Sequence, residues 1–469
     1  MDTRTERDPL GEFAVPAGAY YGIQTARAVE NFPISGLRAH PELVSATVLI
    51  KKVAARTNVA LDRLDKEVGA AIEQAADEVL AGQLREQFVV DVYQAGAGTS
   101  HNMNVNEVLA NRAAEILGGA LGEYTLVHPN DHVNMGQSTN DVFPSATRLA
   151  LLMLNRPLVE AADALRSAFT RKQIDFFNIL KVGRTHLQDA VPIRLGQEFD
   201  GYADCIDSGI EDLRYASRRL LKLPLGGTAV GTGLNAGLEY IAHAIQTLTE
   251  LTQQPLTVGK SAFEVTQSMG DVLAYSGAMR RLAVELSKIA SDLRLLSMGP
   301  RAGIAEIKLP AVQPGSSIMP GKVNPSVPEM VNQVCFQVIG CDATVCAAAE
   351  AGQLELNVMM PVIAWNALHA STILRNAMIV LKERCVDGIE ADAERCRELL
   401  DRSTAVATAL SPYIGYAATA EVAKESVRTG TPIREIVLAR GLLDAATADR
   451  VLAASAMTEP GIAGKSHDT

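Results

Sequence analysis

Apolar and small side chains recur at every third or fourth position along several long stretches of the chain. In the clearest stretch, residues 261–298, no Pro interrupts the pattern. Its apolar and small positions are Val265, Met269, Val272, Ser276, Met279, Ala283, Leu286, Ala290 and Leu293. This spacing keeps one face of a helix turned toward a core, and at 1.5 Å per residue it predicts a rod of roughly 55 Å. Rods of that length are typical of bundles shared between subunits.

Three further stretches show the same helical spacing, at residues 142–181, 192–222 and 325–384, and a bend is predicted in the last one at Pro361. The segments between the helices are punctuated by Gly and Pro. We interpret them as loops, at residues 94–104, 128–141, 183–196, 223–237 and 299–328. Hydroxyl, amide and charged side chains cluster in these loops, so the chemistry is expected there.

The pattern changes along the chain in a way that predicts three unequal domains. Residues 1–140 combine short mixed patterns into a mostly helical N-terminal domain, and residues 141–390 hold the long helices as a central bundle. Residues 391–469 show shorter helical patterns, one of which has Thr431 as its N-cap and Pro432 at its first helical position. The predicted fold is therefore all-α, or mainly helical.

Composition agrees with this fold class and limits the possible partners. Of the 469 residues, 48% are apolar, enough for a large core, and only 4% are aromatic, which suits packed helices better than sheets. The net charge is −11 and no basic stripe is present, so nucleic acid is not an expected partner. Any anionic substrate must then be bound by a local set of donors.

The cysteine spacing and the lack of targeting signals predict a cytoplasmic protein. The first thirteen residues are charged and lack the apolar core of a secretory signal, and no run of 18 apolar residues predicts a membrane helix. Six cysteines are scattered without C-x-x-C spacing, and we interpret them as reduced core thiols. A membrane is therefore not an expected partner.

Several general motifs are present only in part. Residues 231–237 resemble a dinucleotide-binding fingerprint, but they have one residue too many before the last Gly and no strand pattern before them. The GKS at 259–261 ends like a phosphate loop that lacks its first Gly. His128 and His132 have the spacing of a metal pair on a helix, yet the Pro-Asn-Asp between them favours a turn. No metal and no organic cofactor are therefore expected.

Four loops concentrate hydroxyl, amide and Gly residues within a few positions. They are GAGTS at 96–100, QSTND at 137–141, GRTHLQD at 183–189 and GSSIMPGKVNP at 315–325. Neutral donors in such numbers suit the recognition of a carboxylate, because hydroxyls, amides and backbone N–H groups can all be directed at its oxygens. Alternatively, these are simply the residue types that turns and helix N-caps use. In the fourth loop, two adjacent Ser hydroxyls beside a fixed Lys favour chemistry, because a nearby cation helps a Ser act as a base.

The fourth loop resembles the signature of the fumarase/aspartase superfamily, and the resemblance continues along nearly the whole chain. It includes YYGIQTARAVENFPISG, GAGTSHNMNVNEV, HPNDHVN, QSTND, GRTHLQDAVPIRLGQEF, GTAVGTGLNA, SDLRLLSMGPRAG, AGQLELNV and MTEPGIAGK. Members of this superfamily form fumarate by elimination from succinyl-type substrates. The resemblance implies a three-domain subunit with a central long-helix bundle that forms the core of a homotetramer.

Two branches of the superfamily release either water or ammonia, and several segments favour the ammonia branch. GAGTS stands where fumarases usually have GSGTQ, STND where they usually have SSND, and ENF where they usually have EHF. The PGIAGK tail also resembles the ammonia branch. The resemblance therefore implies reversible deamination of L-aspartate to fumarate. The alternatives are a class II fumarase, which releases water from malate, and a non-catalytic structural relative.

The resemblance also implies roles for individual side chains at matching positions. Ser316 would be the general base, on a loop that closes over the substrate, and His186 and Lys322 would assist catalysis. The α-carboxylate would be held by Lys322, Asn324, the Met319 backbone and Thr185, the β-carboxylate by Thr99, Ser138, Thr139 and Ser317, and the amino group would lie near Asn140, His186 and Thr99. In this superfamily the second, third and fourth loops come from three different subunits, so a complete site would require the tetramer.

Two departures from the usual pattern lie near these positions. Met360 stands where the ammonia branch usually has Glu, and Gly136 stands where a Ser commonly precedes Gln137. Neither departure removes a residue with an implied role, but both can change the support of a loop. The HPND at 128–131 resembles a second dicarboxylate site of fumarases, and we predict only a structural role for it.

Overall fold

The computed structural model describes residues 2–465 and is mainly helical, which confirms the predicted fold class. In chain order the α-helices are α1 (Ile23–Asn31), α2 (Pro41–Ala60), α3 (Lys66–Leu80), α4 (Thr99–Ile116), α5 (Thr139–Asp175), α6 (Leu195–Ser217), α7 (Leu238–Thr252), α8 (Ala262–Gln267), α9 (Gly270–Leu296), α10 (Ser326–Glu350), α11 (Met360–Arg384), α12 (Ala393–Asp401), α13 (Ser411–Ile414), α14 (Tyr416–Thr429), α15 (Ile433–Ala439) and α16 (Ala445–Val451). The helices α5, α6, α9, α10 and α11 are the long ones that the pattern predicts.

The strands of the described residues form only two-stranded sheets. They are β1 (Thr3–Asp8), β2 (Gly11–Pro16), β3 (Leu180–Thr185), β4 (Gln188–Arg194), β5 (Lys222–Leu223), β6 (Thr257–Val258), β7 (Ile307–Lys308) and β8 (Glu390–Ala391). The pairs β1–β2, β3–β4 and β7–β8 are antiparallel, and β5–β6 is parallel. Sheets of two strands cannot build a core by themselves, so the helices provide it.

The described chain divides into two compact units. The first comprises residues 2–160, 209–284 and 334–376, and the second comprises residues 161–208, 285–333 and 377–465. In the first unit, α2, α3 and α4 pack together through fully buried side chains such as Val48, Ile72 and Leu109. In the second unit, the C-terminal helices enclose a core that includes Leu410 and Val437. The division into three domains stays a prediction.

The single rod predicted at residues 261–298 is wrong, because the segment forms two helices. α8 ends at Gln267 and α9 begins at Gly270. Between them Ser268 is extended, with ψ of 135°, and its Oγ accepts a hydrogen bond from the N–H of Gly270 at 3.2 Å. A Ser hydroxyl that bonds to nearby backbone groups competes with the backbone hydrogen bonds of the helix. α9 alone has 27 residues and therefore reaches about 40 Å.

The stretch 325–384 also forms two helices rather than one bent helix. α10 ends at Glu350, α11 begins at Met360, and Pro361 is the second residue of α11. Pro is tolerated in a first turn, where its missing N–H costs no helical hydrogen bond. Pro361 therefore marks a helix start and not a bend. Pro432 differs from its predicted position in a similar way, because it is the N-cap of α15 and not its first helical residue.

Most of the predicted loop at residues 183–196 is instead the β3–β4 hairpin. Its register runs from Leu180 opposite Arg194 to Thr185 opposite Gln188, with an irregularity between. The Pro in β4 is tolerated because a two-stranded sheet has only edge strands. Gly and Pro within the strands hid the hairpin from the sequence pattern.

α10 is long and apolar enough, by length and composition alone, to cross a membrane, although Asn, Gln and Asp residues interrupt its apolar positions. Helices packed in the core of a protein reach the same length and apolar composition. Fully or almost fully buried residues recur along it at Val331, Cys335, Val338, Cys341 and Val345. It also contains the buried Asp342, whose Oδ1 accepts a hydrogen bond from Ser276 Oγ at 2.7 Å. The spacing of threes and fours is that of a helix packed along one face.

Candidate active site

The segment Ser138–Asn140 forms the N-terminus of α5. Ser138 Oγ accepts the N–H of Asn140 at 3.2 Å, and Asp141 Oδ1 accepts the N–H of Ser138 at 2.9 Å. This reciprocal pair of bonds is a capping box. It holds the half-buried hydroxyls of Ser138 and Thr139 at the positive end of the helix dipole. Helix N-termini of this kind favour anions.

Asn140 also bonds to a neighbouring loop. Its Nδ2 donates to the carbonyl of Ala229 at 2.8 Å. This bond uses one of the two N–H donors of the amide, and the amide oxygen of the same side chain accepts hydrogen bonds. Asn140 can therefore offer an acceptor, which suits the donor-rich amino group that the prediction places near it.

Thr99 is exposed at the first position of α4. The turn before it is fixed by the N–H of Ala97, which donates to the carbonyl of Val358 at 3.1 Å. Gly98 has φ of 86°, and a Cβ there would lie 2.1 Å from Cδ2 of Phe143 on α5. Only Gly combines this φ with so close an approach. The contact with Phe143 brings the start of α4 next to the start of α5.

The departure at Met360 lies close to this turn in the first unit. Met360 is fully buried at the first position of α11, and Val358, which binds Ala97, precedes it by two residues. The N–H of Met359 donates to Asn357 Oδ1 at 2.8 Å. The apolar Met therefore fills a buried position in the segment that supports the Thr99 turn.

A fully buried lysine contacts the residues just before Ser138. Lys51 Nζ donates to Asn134 Oδ1 at 2.8 Å and to Gln137 Oε1 at 2.9 Å. Burial lowers the pKa of Lys51 to about 7. Two acceptors match the two N–H bonds of a neutral amine. Our sequence interpretation missed Lys51, because a lone Lys in a helical pattern predicts an exposed side chain.

Thr185 and His186 lie at the tip of the β3–β4 hairpin and are exposed. His186 and Leu187 form its two-residue turn, with φ of 54° and 60°. Positive φ at both central positions is typical of a type I′ hairpin turn, although Asn and Gly are the usual residues there. The turn therefore presents a His and a Leu to solvent at a backbone cost.

The base of this hairpin is fixed by a cluster of buried charges in the second unit. Arg184 donates through both terminal nitrogens to the fully buried Glu306, at 3.0 Å each. Lys181 Nζ lies 2.8 Å from carboxylate oxygens of both Glu306 and Glu198. Paired and hydrogen-bonded charges of this kind are costly to break, so the cluster holds the hairpin tip in place.

The signature loop, residues 315–325, is closed by its own hydrogen bonds. The N–H of Gly315 donates to the Lys322 carbonyl, and Asn324 Nδ2 donates to the Gly315 carbonyl, both at 2.8 Å. A Cβ on Gly315 would lie 2.7 Å from the Lys322 carbonyl oxygen, so only Gly allows this closure. Most of the loop is exposed, including Ser317, Met319 and Lys322.

Ser316 accepts two backbone hydrogen bonds within the loop. Its Oγ receives the N–H of Ile318 at 3.2 Å and the N–H of Met319 at 3.0 Å. Donors directed at a hydroxyl oxygen favour its alkoxide form, as hydrogen bonds to a charged form generally do. In this arrangement the Met319 N–H and the Asn324 amide serve the loop itself, although both are predicted to bind an α-carboxylate.

Cations line the space beside this loop in the second unit. Lys322 and Asn324 line a cavity of about 970 Å³ together with Arg294, on α9, and Glu329. Arg294 also donates to Asn332 Oδ1 at 3.1 Å. Two cations at one cavity suit an anionic ligand. Arg294 was not among the predicted residues, because its position in a helical pattern gives no sign of a cavity.

The predicted residues fall into three groups along the chain. Thr99 and the segment Ser138–Asn140 lie at neighbouring helix starts in the first unit. In the second unit, His186 lines a cavity of about 660 Å³ with Arg184 and Glu198, whereas Lys322 and Asn324 line the other cavity.

The side chains of His128 and His132 accept backbone N–H groups around a single helical turn, Pro129–Val133, in the segment where a turn is predicted. His128 Nδ1 accepts the N–H groups of Asn130 and Asp131, each at 3.2 Å, and His132 Nδ1 accepts the N–H of His128 at 3.0 Å. Between residues 2 and 465, no group of three or more His, Cys, Asp or Glu side chains could hold a metal ion.

Comparison with protein families gives two matches. Residues 11–340 match the model described as lyase, and residues 406–459 match the model described as fumarase C C-terminus. The first covers more than half of the chain and includes the four segments rich in hydroxyl, amide and Gly residues, at 96–100, 137–141, 183–189 and 315–325.

Individual proteins are similar over almost their full length. An aspartate ammonia-lyase from a Bacillus species is 48% identical, covering 99% of both chains. The crystal structure of a fumarate lyase:delta crystallin from Brucella melitensis, bound to cobalt, is 50% identical with a TM-score of 0.94, covering 98% of this chain and 100% of that one. A class II fumarase from Schistosoma mansoni is 36% identical with a TM-score of 0.95, at the same coverage.

Proposed function

This chain belongs to the fumarase/aspartase superfamily of lyases, and from that premise we propose that it deaminates L-aspartate reversibly to fumarate and ammonia. Identity to the aspartate ammonia-lyase is 48%, against 36% for the class II fumarase, and this difference supports ammonia over water as the leaving group. The segments GAGTS, STND and ENF favour the same branch.

The observation that carries the proposed chemistry is the pair of N–H groups at Ser316 Oγ. We propose that Ser316 removes a proton from the carbon next to the β-carboxylate. The electron pair of the C–H bond moves into that carboxylate, which becomes a doubly charged aci-carboxylate. The pair then returns to form the carbon–carbon double bond while the bond from the α-carbon to nitrogen breaks and ammonia leaves. The N–H groups of Ile318 and Met319 stabilise the Ser316 alkoxide that starts the reaction.

The aci-carboxylate needs hydrogen-bond donors where its second charge develops. Ser138 and Thr139 supply hydroxyls at the N-terminus of α5, and Thr99 supplies one at the start of α4, next to it. Ser317 would add a fourth from the signature loop. Removing one such donor from an enzyme commonly costs about 2.7 to 4 kcal/mol of transition-state stabilisation, so four are sufficient to support the elimination.

The α-carboxylate and the amino group are assigned to the remaining residues. Lys322, Asn324, Thr185 and the Met319 backbone would bind the carboxylate. Asn324 keeps the second N–H of its amide for this contact, and the Met319 N–H would be shared between Ser316 Oγ and the carboxylate. The Oδ1 of Asn140 would accept from the amino group, with His186 and Thr99 nearby. Closure of such a loop excludes water and strengthens each contact.

We also propose that the complete site forms in a homotetramer in the cytoplasm. The predicted residues of the hairpin and of the signature loop line different cavities, which supports a site assembled from several subunits. Large apolar side chains on the long helices are exposed in the single chain, such as Phe336 at 62% and Val284 at 50%. Exposed apolar surface of this kind marks interaction sites. Six cysteines scattered without C-x-x-C spacing agree with a reducing compartment.

The test compares two substrates in one ultraviolet absorbance assay for fumarate. Purified protein with L-aspartate should produce fumarate, and protein with malate should not. Fumarate from malate alone would make the protein a fumarase. No turnover of either substrate by a protein shown to be tetrameric would leave only the structural role.

A further inference from the structure

Asp141 is fully buried at the start of α5 and accepts three backbone hydrogen bonds. Its Oδ1 receives the N–H of Ser138 at 2.9 Å. Its Oδ2 receives the N–H of Gly226 at 2.9 Å and the N–H of Thr228 at 3.0 Å. One carboxylate therefore joins the segment Ser138–Asn140 to a loop more than eighty residues further along the chain.

A second bond runs between the same two segments. Asn140 Nδ2 donates to the carbonyl of Ala229 at 2.8 Å. Thr228 holds a positive φ of 54°, which is uncommon for a residue with a branched side chain. The segment and residues 225–229 thus form one hydrogen-bonded assembly, and neither can move without breaking bonds to the other.

The three donors around Asp141 require a group that only accepts. An ionised carboxylate has no N–H or O–H, so all its lone pairs can face donors. An Asn in its place would turn an NH2 toward at least one backbone N–H and leave that N–H without a partner. Burial is the main reason that the pKa of Asp141 rises to about 6, and the three backbone N–H donors oppose the rise, so the carboxylate is ionised at neutral pH.

We propose that Asp141 is a positioning residue that fastens Ser138, Thr139 and Asn140 to residues 225–229 and so fixes the donors and acceptor that these three residues offer to the substrate. The inference rests on the proposed function for the role of those residues, whereas the fastening itself depends only on the hydrogen bonds described. Asp141 touches no substrate, and it acts through its neighbours.

The first test is a double-mutant cycle of Asp141→Asn and Thr139→Ala, with kcat and KM for L-aspartate. If Asp141 positions Thr139, Asp141→Asn lowers kcat/KM by about 100-fold, mostly in kcat, because misplacement by 1 Å has that effect on a reacting group. Thr139→Ala should then lower kcat/KM by a much smaller factor in the Asp141→Asn background than in wild type. Additive losses would overturn the inference, because independent sites add.

A matched control separates positioning from loss of stability. Asp271 accepts hydrogen bonds from the buried Arg148 on α5, at 2.6 and 3.1 Å, away from the Ser138 end of the helix. Asp271→Asn should lower the melting temperature while kcat changes by less than about threefold and the Thr139→Ala effect stays at its wild-type size. Equal kinetic losses in Asp141→Asn and Asp271→Asn would reduce Asp141 to a structural role.

Hydrogen exchange tests the fastening without any substrate. In Asp141→Asn, amide exchange should speed up together in residues 137–142 and 225–229, and unchanged exchange in either segment would overturn the inference. If Asp141→Asn does not fold, Asp141→Glu keeps the charge with a longer side chain and is measured in both the cycle and the exchange experiment, against the same outcomes. Wild-type protein that converts no L-aspartate would instead overturn the proposed function, and exchange would still decide the role of Asp141.

Discussion

The segment Ser138–Asn140 and the signature loop are both predicted to bind the substrate, but their support differs. Ser138–Asn140 is held by the buried Asp141 and by residues 225–229, far away in sequence. The signature loop is exposed and is closed by bonds among its own residues, from Gly315 to Asn324. One region is therefore fixed by the core of its unit, whereas the other can move while keeping its internal shape.

This difference matches the two tasks that the proposed reaction sets. Stabilising a developing charge requires donors that do not reorganise during the reaction. Bringing a base to the substrate and excluding water require a segment that opens and closes. If the signature loop moves as proposed, its internal hydrogen bonds carry the two N–H groups at Ser316 with it.

The largest effect is expected from Ser316→Ala. Loss of the base should lower kcat by about 10³-fold or more, while the oligomeric state and the melting temperature stay as in wild type, because the side chain lies in an exposed loop. Steady-state kinetics would measure kcat, sedimentation would measure the oligomeric state, and calorimetry would measure the melting temperature. A rate close to wild type would remove Ser316 from the mechanism.

Gly315→Ala should damage activity without damaging the fold. A Cβ 2.7 Å from the Lys322 carbonyl oxygen opens the loop, so we expect kcat/KM to fall by about 100-fold and the free energy of unfolding to change by less than about 0.5 kcal/mol. Gly18→Ala is the matched control, since a Cβ there meets nothing within 4 Å. A large loss of stability in Gly315→Ala would show that the loop supports the core.

Gly98→Ala should do the reverse and damage stability. The new Cβ would meet the buried Phe143 ring at a positive φ, and we expect a loss of about 2 to 4 kcal/mol from overpacking and backbone strain together. Gly118→Ala controls for the strain, because its φ is 87° and its Cβ meets nothing within 4 Å. Chemical denaturation measures the free energy of unfolding of both variants. Equal losses would mean that the Phe143 ring moves away from the new Cβ without a loss of stability.

The smallest effect is a pH dependence of stability at Lys51. Its folded pKa of about 7 lies below the value of 10.5 expected when unfolded, so between these values the unfolded chain binds more protons and raising the pH favours the folded state. Stability should rise from pH 7.5 to 9.5 by at most about 1.4 kcal/mol per pH unit from this group.

Lys51→Met should lose that rise, and Lys52→Met, at the partly exposed neighbouring position, should keep it. Asp141 and His101, with pKa values of about 6 and about 4, titrate below this window. Urea denaturation at several pH values gives the slopes. Identical slopes in wild type and Lys51→Met would mean that the pKa of Lys51 in the folded protein is not lowered.

The two regions also differ in how far sequence could predict them. All the residues that close the signature loop lie within ten positions, so a local motif is enough to identify them. Asp141 was visible in the same QSTND motif as Ser138, but two of its three partners lie near residue 227 and no local spacing links them. Lys51 was hidden for the same reason, because its partners Asn134 and Gln137 are more than eighty residues away.

The fold was predictable where the pattern is long and regular. α5 and α6 appear close to their predicted limits, because many turns contribute to one apolar face. Single residues explain why two long helices were predicted where the structure has pairs of shorter ones. Ser268 ends α8 through its hydroxyl, and Pro361 lies in the first turn of α11 instead of bending a longer helix. Such local competition is invisible to periodicity.

The β3–β4 turn has a consequence for any attempt to make the protein more robust. His186 and Leu187 both hold positive φ, where Asn-Gly would form the same turn with less strain. A consensus-style redesign would choose that replacement first, and it would remove the His that the proposed site needs. The hairpin tip is thus a place where thermostability and turnover compete, and a thermostable variant should be engineered elsewhere.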